Sequence, residues 1–176
     1  MNLHFEDAIN HKEKVNRLFR TAFPKEERPP VFLLYLRRRQ GRASFRAIMD
    51  GDTFVGLALV TGPKEVQMLL FFAIEEAFRG KGYGSRVLEM LKEEMGDVPF
   101  FLCAEPRDDA APNAQERINR LAFYAANGFH EVGVHVKEAG VPFTVLSPGP
   151  AITRRQYCLA SQYFFGKAYF FYLSHT

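Results

Sequence analysis

Cysteine, clustered histidine and long apolar runs are all scarce in this 176-residue chain. Its two cysteines, Cys103 and Cys158, each lie in an apolar stretch and form no CxxC or other paired spacing, which excludes a zinc ribbon or finger. The five histidines, His4, His11, His130, His135 and His175, are scattered. His130 and His135 fall five apart on one expected strand and so on opposite faces, and no metal site is expected. Residues Met1 to Asp7 hold no basic segment followed by an apolar run of about 7–15 residues, so no secretory signal is read and a cytoplasmic location is expected. The most membrane-like segment, Tyr163 to Leu173, contains Lys167 and falls short of the roughly 20 apolar residues that a spanning helix needs. A net charge of +3 is too slight to point to nucleic acid. Repeats and low-complexity tracts are absent as well.

What is present is the composition of a folded globular protein, 47% hydrophobic and 24% charged, at a length suited to one domain over residues 1–176 with its own core. Val15, Leu18, Phe19 and Ala22 recur at helical spacing between His11 and Ala22, and Pro24 closes that helix. The prolines of Pro24 to Pro30 impose a loop. A short helix is expected over Val31 to Arg39, ending at Gly41. The pattern then changes to strands: Phe45 to Met49 and Thr53 to Val60 flank an Asp50-Gly51-Asp52 hairpin turn. Val66 to Ile74 reads as a strand buried on both faces. A helix to about Met95 and a strand from Val98 to Ala104 complete a right-handed crossover with two parallel strands. A helix from Asn113 to Asn127, with Ile118, Leu121, Ala122 and Ala125 as its buried face, precedes strands Phe129 to Val136 and Val141 to Leu146. A helix from Thr153 to Phe165 ends the pattern.

The strongest local signal is Arg79-Gly80-Lys81-Gly82-Tyr83-Gly84-Ser85, three alternate glycines between an apolar strand and an amphipathic helix. Backbone N–H groups there can approach an anion closely, and the helix N-terminus adds its dipole, so a pyrophosphate fits. The pattern is neither a P-loop nor GxGxxG, since no Lys-Ser or Lys-Thr pair follows and the last glycine comes one place early.

In these residues the chain resembles the GNAT acetyltransferase superfamily, whose acetyl-CoA motif is matched by Arg79, Gly82 and Gly84. A second signature lies about 40 residues on, where Phe123-Tyr124-Ala125-Ala126-Asn127-Gly128-Phe129 is similar to the family's aromatic-Tyr-x-x-x-Gly-Phe. The resemblance spans roughly residues 45–146. It implies an α/β (α+β) fold with a central, mostly antiparallel mixed sheet splayed at one parallel strand pair and flanked by helices. It also implies acetyl-CoA as co-substrate with no metal, held by the backbone of Phe72, Ala73 and Ile74 and by the loop Arg79, Gly80, Lys81, Gly82, Tyr83, Gly84 and Ser85. Tyr124 stands where the family's tyrosine protonates the departing thiolate. Arg117 stands where many members carry an asparagine that touches the cofactor; an arginine there suits a cofactor phosphate, or equally a solvated helix face with Glu116 and Arg120.

The attacking amine must lose a proton, and Glu105, just after the strand ending at Ala104, is the candidate base, with Glu75, Glu76 and Asp108 as competitors. At 100° per residue, Tyr124, Arg120 and Arg117 share one flank of their helix. Cys103 has no neighbouring histidine in sequence, so direct transfer is preferred to a covalent acetyl-enzyme. Glu26 and Glu27 suit a cationic acceptor, a small molecule or a peptide bearing an amine. Arg37, Arg38, Arg39 and Arg42 read as a solvated helix face. The aromatic extension over residues 151–176 is expected to cap the sheet or to form a homodimer contact. The rival reading is a non-catalytic acyl-CoA-binding regulatory or interaction module.

Overall fold

A computed structural model of the chain describes residues 1–25, 28–138 and 140–167. Among these are seven strands and five α-helices; all but the first strand, Leu3–Asp7, follow the expected order, and the strands, numbered along the chain, lie in the order β1-β2-β3-β4-β5-β7-β6, with β4 and β5 parallel. This is the α+β architecture anticipated from the pattern. The chain divides into two compact units, each built around its own apolar side chains.

The first unit comprises Met1–Thr61 and Leu69–Leu91. It opens with a strand absent from the sequence pattern, β1 (Leu3–Asp7), which pairs antiparallel with β2 (Ala43–Asp50) from Leu3↔Asp50 to Asp7↔Arg46. The segment Leu-His-Phe-Glu-Asp alternates only weakly and all five residues are half-buried, so its strand state is set by the partner edge rather than by local pattern. β2 turns at Gly51, in the left-handed conformation with φ 54°, into β3 (Thr53–Thr61), which is buried from Phe54 onward. Helices α1 (Lys12–Ala22) and α2 (Val31–Arg39) pack on β3 and β2 respectively. Phe19 and Phe23 meet Phe71 edge-on at 4.9 and 5.0 Å between ring centres, and Tyr35 meets Phe45 at 5.4 Å. β4 (Gln67–Ile74) is not buried on both faces, as its apolar run suggested. From Leu69 its burial alternates, with Leu69, Phe71 and Ala73 inside and Leu70, Phe72 and Ile74 half-buried; the inner face is the one on which Phe71 meets the aromatic cluster, so the two faces are covered unequally. α3 (Tyr83–Met95) buries Val87, Leu88 and Leu91 along one stripe.

The second unit comprises Gly62–Met68 and the chain from Lys92 onward. β5 (Phe100–Ala104) pairs antiparallel with β7 (Val141–Ser147), and β7 with β6 (His130–Glu138), whose register shifts between Glu131 and His135. α5 (Arg154–Phe165) begins with a capping box: Thr153 and Gln156 satisfy each other's backbone N–H. It buries Tyr157, Ala160, Phe164 and Phe165, and Tyr157 packs on Phe101 at 6.3 Å. α4 (Ala114–Ala126) differs from expectation in having no fully buried residue. Ala122 and Ala125 are exposed and not part of a buried face; the half-buried flank is Arg117, Ile118, Leu121 and Tyr124, since the side of the helix turned inward is the one on which Arg117 meets Glu105. Residues 168–176, the end of the 151–176 extension for which capping or a dimer contact was expected, and the pair Glu26 and Glu27 lie outside the described residues.

Candidate active site

In the first unit, the end of β4 and the start of α3 carry the glycine loop. Phe72, Ala73 and Ile74 continue into Glu75, whose N–H donates to Val55 O at 2.9 Å. A short 3₁₀ turn (Glu76–Phe78) follows, and Arg79 folds back so that its Nε donates to Ile74 O at 3.1 Å. Lys81 Nζ donates to Ala77 O at 2.8 Å and lies 5.8 Å from the centre of the Phe78 ring. These contacts brace the loop from within.

Gly80 and Gly82 take φ of 71° and 84°, which favours glycine, and the space where their β-carbons would stand is open, apart from Met1 Cε at 3.8 Å from Gly82. Arg86 N donates to Gly82 O at 3.1 Å as α3 begins, and the N–H groups of the preceding turn have no intrahelical partner. Exposed Ser85, the half-buried Gly84 and the cations Arg79 and Lys81 border that turn. The loop thus presents backbone N–H groups at the positive end of a helix dipole, a surface that an anion can approach closely.

What holds Tyr83 was not visible along the chain. Its ring meets Phe78 at 5.4 Å, and its hydroxyl donates to Asp50 Oδ2 at 2.6 Å. Asp50 Oδ1 accepts the N–H of Asn2 at 2.6 Å, and these two donors, Tyr83 first, hold the carboxyl below its ordinary range. In sequence Asp50 showed only as a turn residue of an Asp-Gly hairpin. Glu75 pairs with the exposed Arg17 at 2.9 Å, while Glu76 is exposed.

In the second unit, Glu105 follows β5 and is buried, at 5% exposure. Its Oε1 meets Arg117 Nη2 at 2.6 Å; its Oε2 accepts from Arg120 Nη1 at 3.1 Å and from Asn113 Nδ2 at 3.4 Å. Arg117 also donates through Nε to Asn113 Oδ1 at 2.8 Å, and Nη1 lies 3.5 Å from Pro106 O. Its guanidinium is thus engaged inside this unit. Asp108 is exposed and caps Ala110 N at 3.0 Å.

Tyr124 is half-buried between Phe123 and Phe129, with ring centres at 5.3 and 5.9 Å. Burial pushes its hydroxyl up to about 12, opposed by the positive charge of Arg120. It therefore carries its proton at neutral pH. Asn127 N and Phe129 N both donate to Tyr124 O at 3.0 Å, closing α4 at the Asn127-Gly128 pair. Burial raises the thiol of Cys103 well above its ordinary value, with Glu138 adding to the effect, which disfavours a nucleophilic thiolate. Among the described residues no group of histidine, cysteine or carboxylate side chains is arranged to hold a metal ion, and no helix is long and apolar enough to cross a membrane.

The family model described as Acetyltransferase (GNAT) family matches residues 12–129. No curated protein sequence is significantly similar to the chain. Among solved structures, a protein of Bacteroides thetaiotaomicron described as an acetyltransferase from the GNAT family is 26% identical, with a TM-score of 0.68 over 88% of this chain and 91% of that one. An aminoglycoside 6'-N-acetyltransferase complexed with coenzyme A is 17% identical, with a TM-score of 0.62 over 87% of this chain and 100% of its own. Arabidopsis thaliana Naa50, in complex with the bisubstrate analogue CoA-Ac-MVNAL, is 13% identical, with a TM-score of 0.59 over 85% and 100%. At such identities the last two speak for the fold alone.

Proposed function

The chain belongs to the GNAT family of acetyltransferases, and from that premise we propose that it moves the acetyl group of acetyl-CoA directly to a primary amine of a small molecule or peptide. The observation that carries the reading is the loop at the start of α3, where Gly80 and Gly82 leave an open cradle of backbone N–H groups. In this reading Gly80 to Ser85 bind the pyrophosphate, and the backbone of Phe72 to Ile74 aligns the pantetheine arm.

The amine nitrogen attacks the thioester carbon, the carbon–sulfur bond breaks, and the thiolate takes the proton of the Tyr124 hydroxyl. Tyr124 holds that proton at neutral pH, its hydroxyl being pushed up to about 12 by burial. Alignment of amine and thioester supplies most of the remaining acceleration. Glu105, the expected base, has both oxygens on guanidinium groups, which favours an anchoring role for it. Water then carries the amine's proton away and returns a proton to the Tyr124 phenolate. Arg117, for the same reason, serves α4 rather than a cofactor phosphate.

The test is thiol release from acetyl-CoA by wild type and Tyr124→Phe across polyamines, amino acids, aminoglycosides and peptides. Release that depends on the acceptor and falls roughly 10²-fold in the variant is expected. Acetyl-CoA binding with no turnover on any amine, in a protein whose Tyr124→Phe variant behaves identically, would favour the non-catalytic binding module. Absence of binding would remove the reading altogether.

A further inference from the structure

α4 has an unusual energetic basis for a helix that bears a reacting group. With no fully buried residue, its apolar contacts specify its rotation only weakly. What it has instead is a carboxylate at the end of β5, nearly out of solvent, met by two arginines from consecutive turns. Desolvating such charges costs about as much as their attraction returns, so a buried ion pair is poor at adding stability and better suited to selecting one arrangement. The side chains of Glu105 and Arg117 are 7% and 12% exposed, and Asn113 and the carbonyl of Pro106 complete the guanidinium's hydrogen bonds. Arg120 is 42% exposed and reaches the second carboxylate oxygen. Tyr124 follows Arg120 by four residues, directly above it on the same face of α4. Its hydroxyl has no partner among the described residues, so nothing but its helix and ring contacts aims it.

We propose that Glu105 anchors α4 through Arg117 and Arg120, and that Arg120, held in this way one turn before Tyr124, is a positioning residue for the leaving-group acid. The inference rests on the reading of Tyr124 given above. It assigns Glu105 no proton transfer with the substrate. It also explains why a helix whose register matters is tied by directional bonds: a carboxylate held through its two oxygens by guanidinium groups from consecutive turns tolerates little rotation, whereas small alanines at 122 and 125 would tolerate much. The positive charge of Arg120 lies where it offsets part of the effect of burial on the tyrosine.

The experiment is a double-mutant cycle on thiol release from acetyl-CoA, using the fastest amine of the panel, or water where none accepts. Arg120→Met is expected to lower kcat about tenfold with little change in KM for acetyl-CoA, while Arg120→Lys retains most of the rate. In a Tyr124→Phe background Arg120→Met should add nothing. Full additivity overturns the proposal, because Arg120 would then act independently of the tyrosine. A Tyr124→Phe variant with wild-type turnover defeats instead the assignment of Tyr124 as the acid. Carbon-13 NMR of the tyrosine ring, with the Tyr124 resonance assigned by its loss in Tyr124→Phe, follows positioning without any turnover. That resonance is expected to move in both Arg120→Met and Glu105→Gln, and an unmoved resonance in the folded variants refutes the role.

Discussion

Gly56 offers a direct link between packing and cofactor binding. It pairs with Ile48 across the β2–β3 ladder, and a β-carbon placed on it would fall 2.5 Å from Ala73 O, 2.9 Å from Ile74 Cδ1 and 3.2 Å from Ile48 Cδ1. The first of these is backbone and belongs to the segment proposed to align the pantetheine arm. A carbon and a carbonyl oxygen approach comfortably at about 3.3 Å, so Gly56→Ala must separate the two strands by several tenths of an ångström. Forcing a methyl into so tight a site costs about 1–3 kcal/mol, a substantial share of the roughly 5–15 kcal/mol that such domains possess. Displacing Ala73 also misaligns the acyl chain, and shifts of that order reduce turnover by up to about 10²-fold. Gly149→Ala is the control, since nothing lies within 4 Å of the position its new methyl would take and its φ is not in the left-handed region. Urea unfolding and calorimetric titration with acetyl-CoA should show Gly56→Ala destabilised and weakly binding, with Gly149→Ala unchanged in both. Wild-type affinity in a destabilised Gly56→Ala would refute the link between this strand and the co-substrate.

Tyr83→Phe removes the hydroxyl that reaches Asp50 and loosens the first turn of α3; loss of one partly exposed hydrogen bond of about 1 kcal/mol should weaken coenzyme A binding severalfold in the same titration, and an unaltered dissociation constant would sink the bracing role. Glu138 is pushed up by burial, with its bond from the Tyr157 hydroxyl acting in the opposite direction. Because the folded state binds that proton more tightly than the unfolded chain, stability is greatest below the usual glutamate range and is lost as pH rises through the folded value. Glu138→Gln keeps an acceptor for Tyr157 and escapes this loss, so its melting temperature should exceed that of wild type at neutral pH and converge with it in acid; a gap independent of pH would count against the buried carboxylate as its source.

Most of the elements that carry the proposed site were legible before any tertiary structure. Alternate glycines between an apolar strand and an amphipathic helix specify a loop and a helix N-terminus through local backbone preference alone, and the order of elements follows from periodicity and turn residues. The aromatic-tyrosine signature likewise falls at the end of α4, where Asn127 and Gly128 stop the helix. What pattern could not supply was set by partners distant in sequence. β1 is a strand because β2 offers it an edge. Asp50 became a brace only when the hairpin turn came beside Tyr83, 33 residues later. Glu105 reads as a free carboxylate along the chain and is a clamped one in the fold, since Arg117 and Arg120 reach it only after α4 packs at the end of β5. Local preferences are encoded within a few residues and survive in the unfolded chain's own statistics. The protonation, burial and orientation of a side chain depend on which charges and rings arrive beside it, and that is decided by strand register and helix packing.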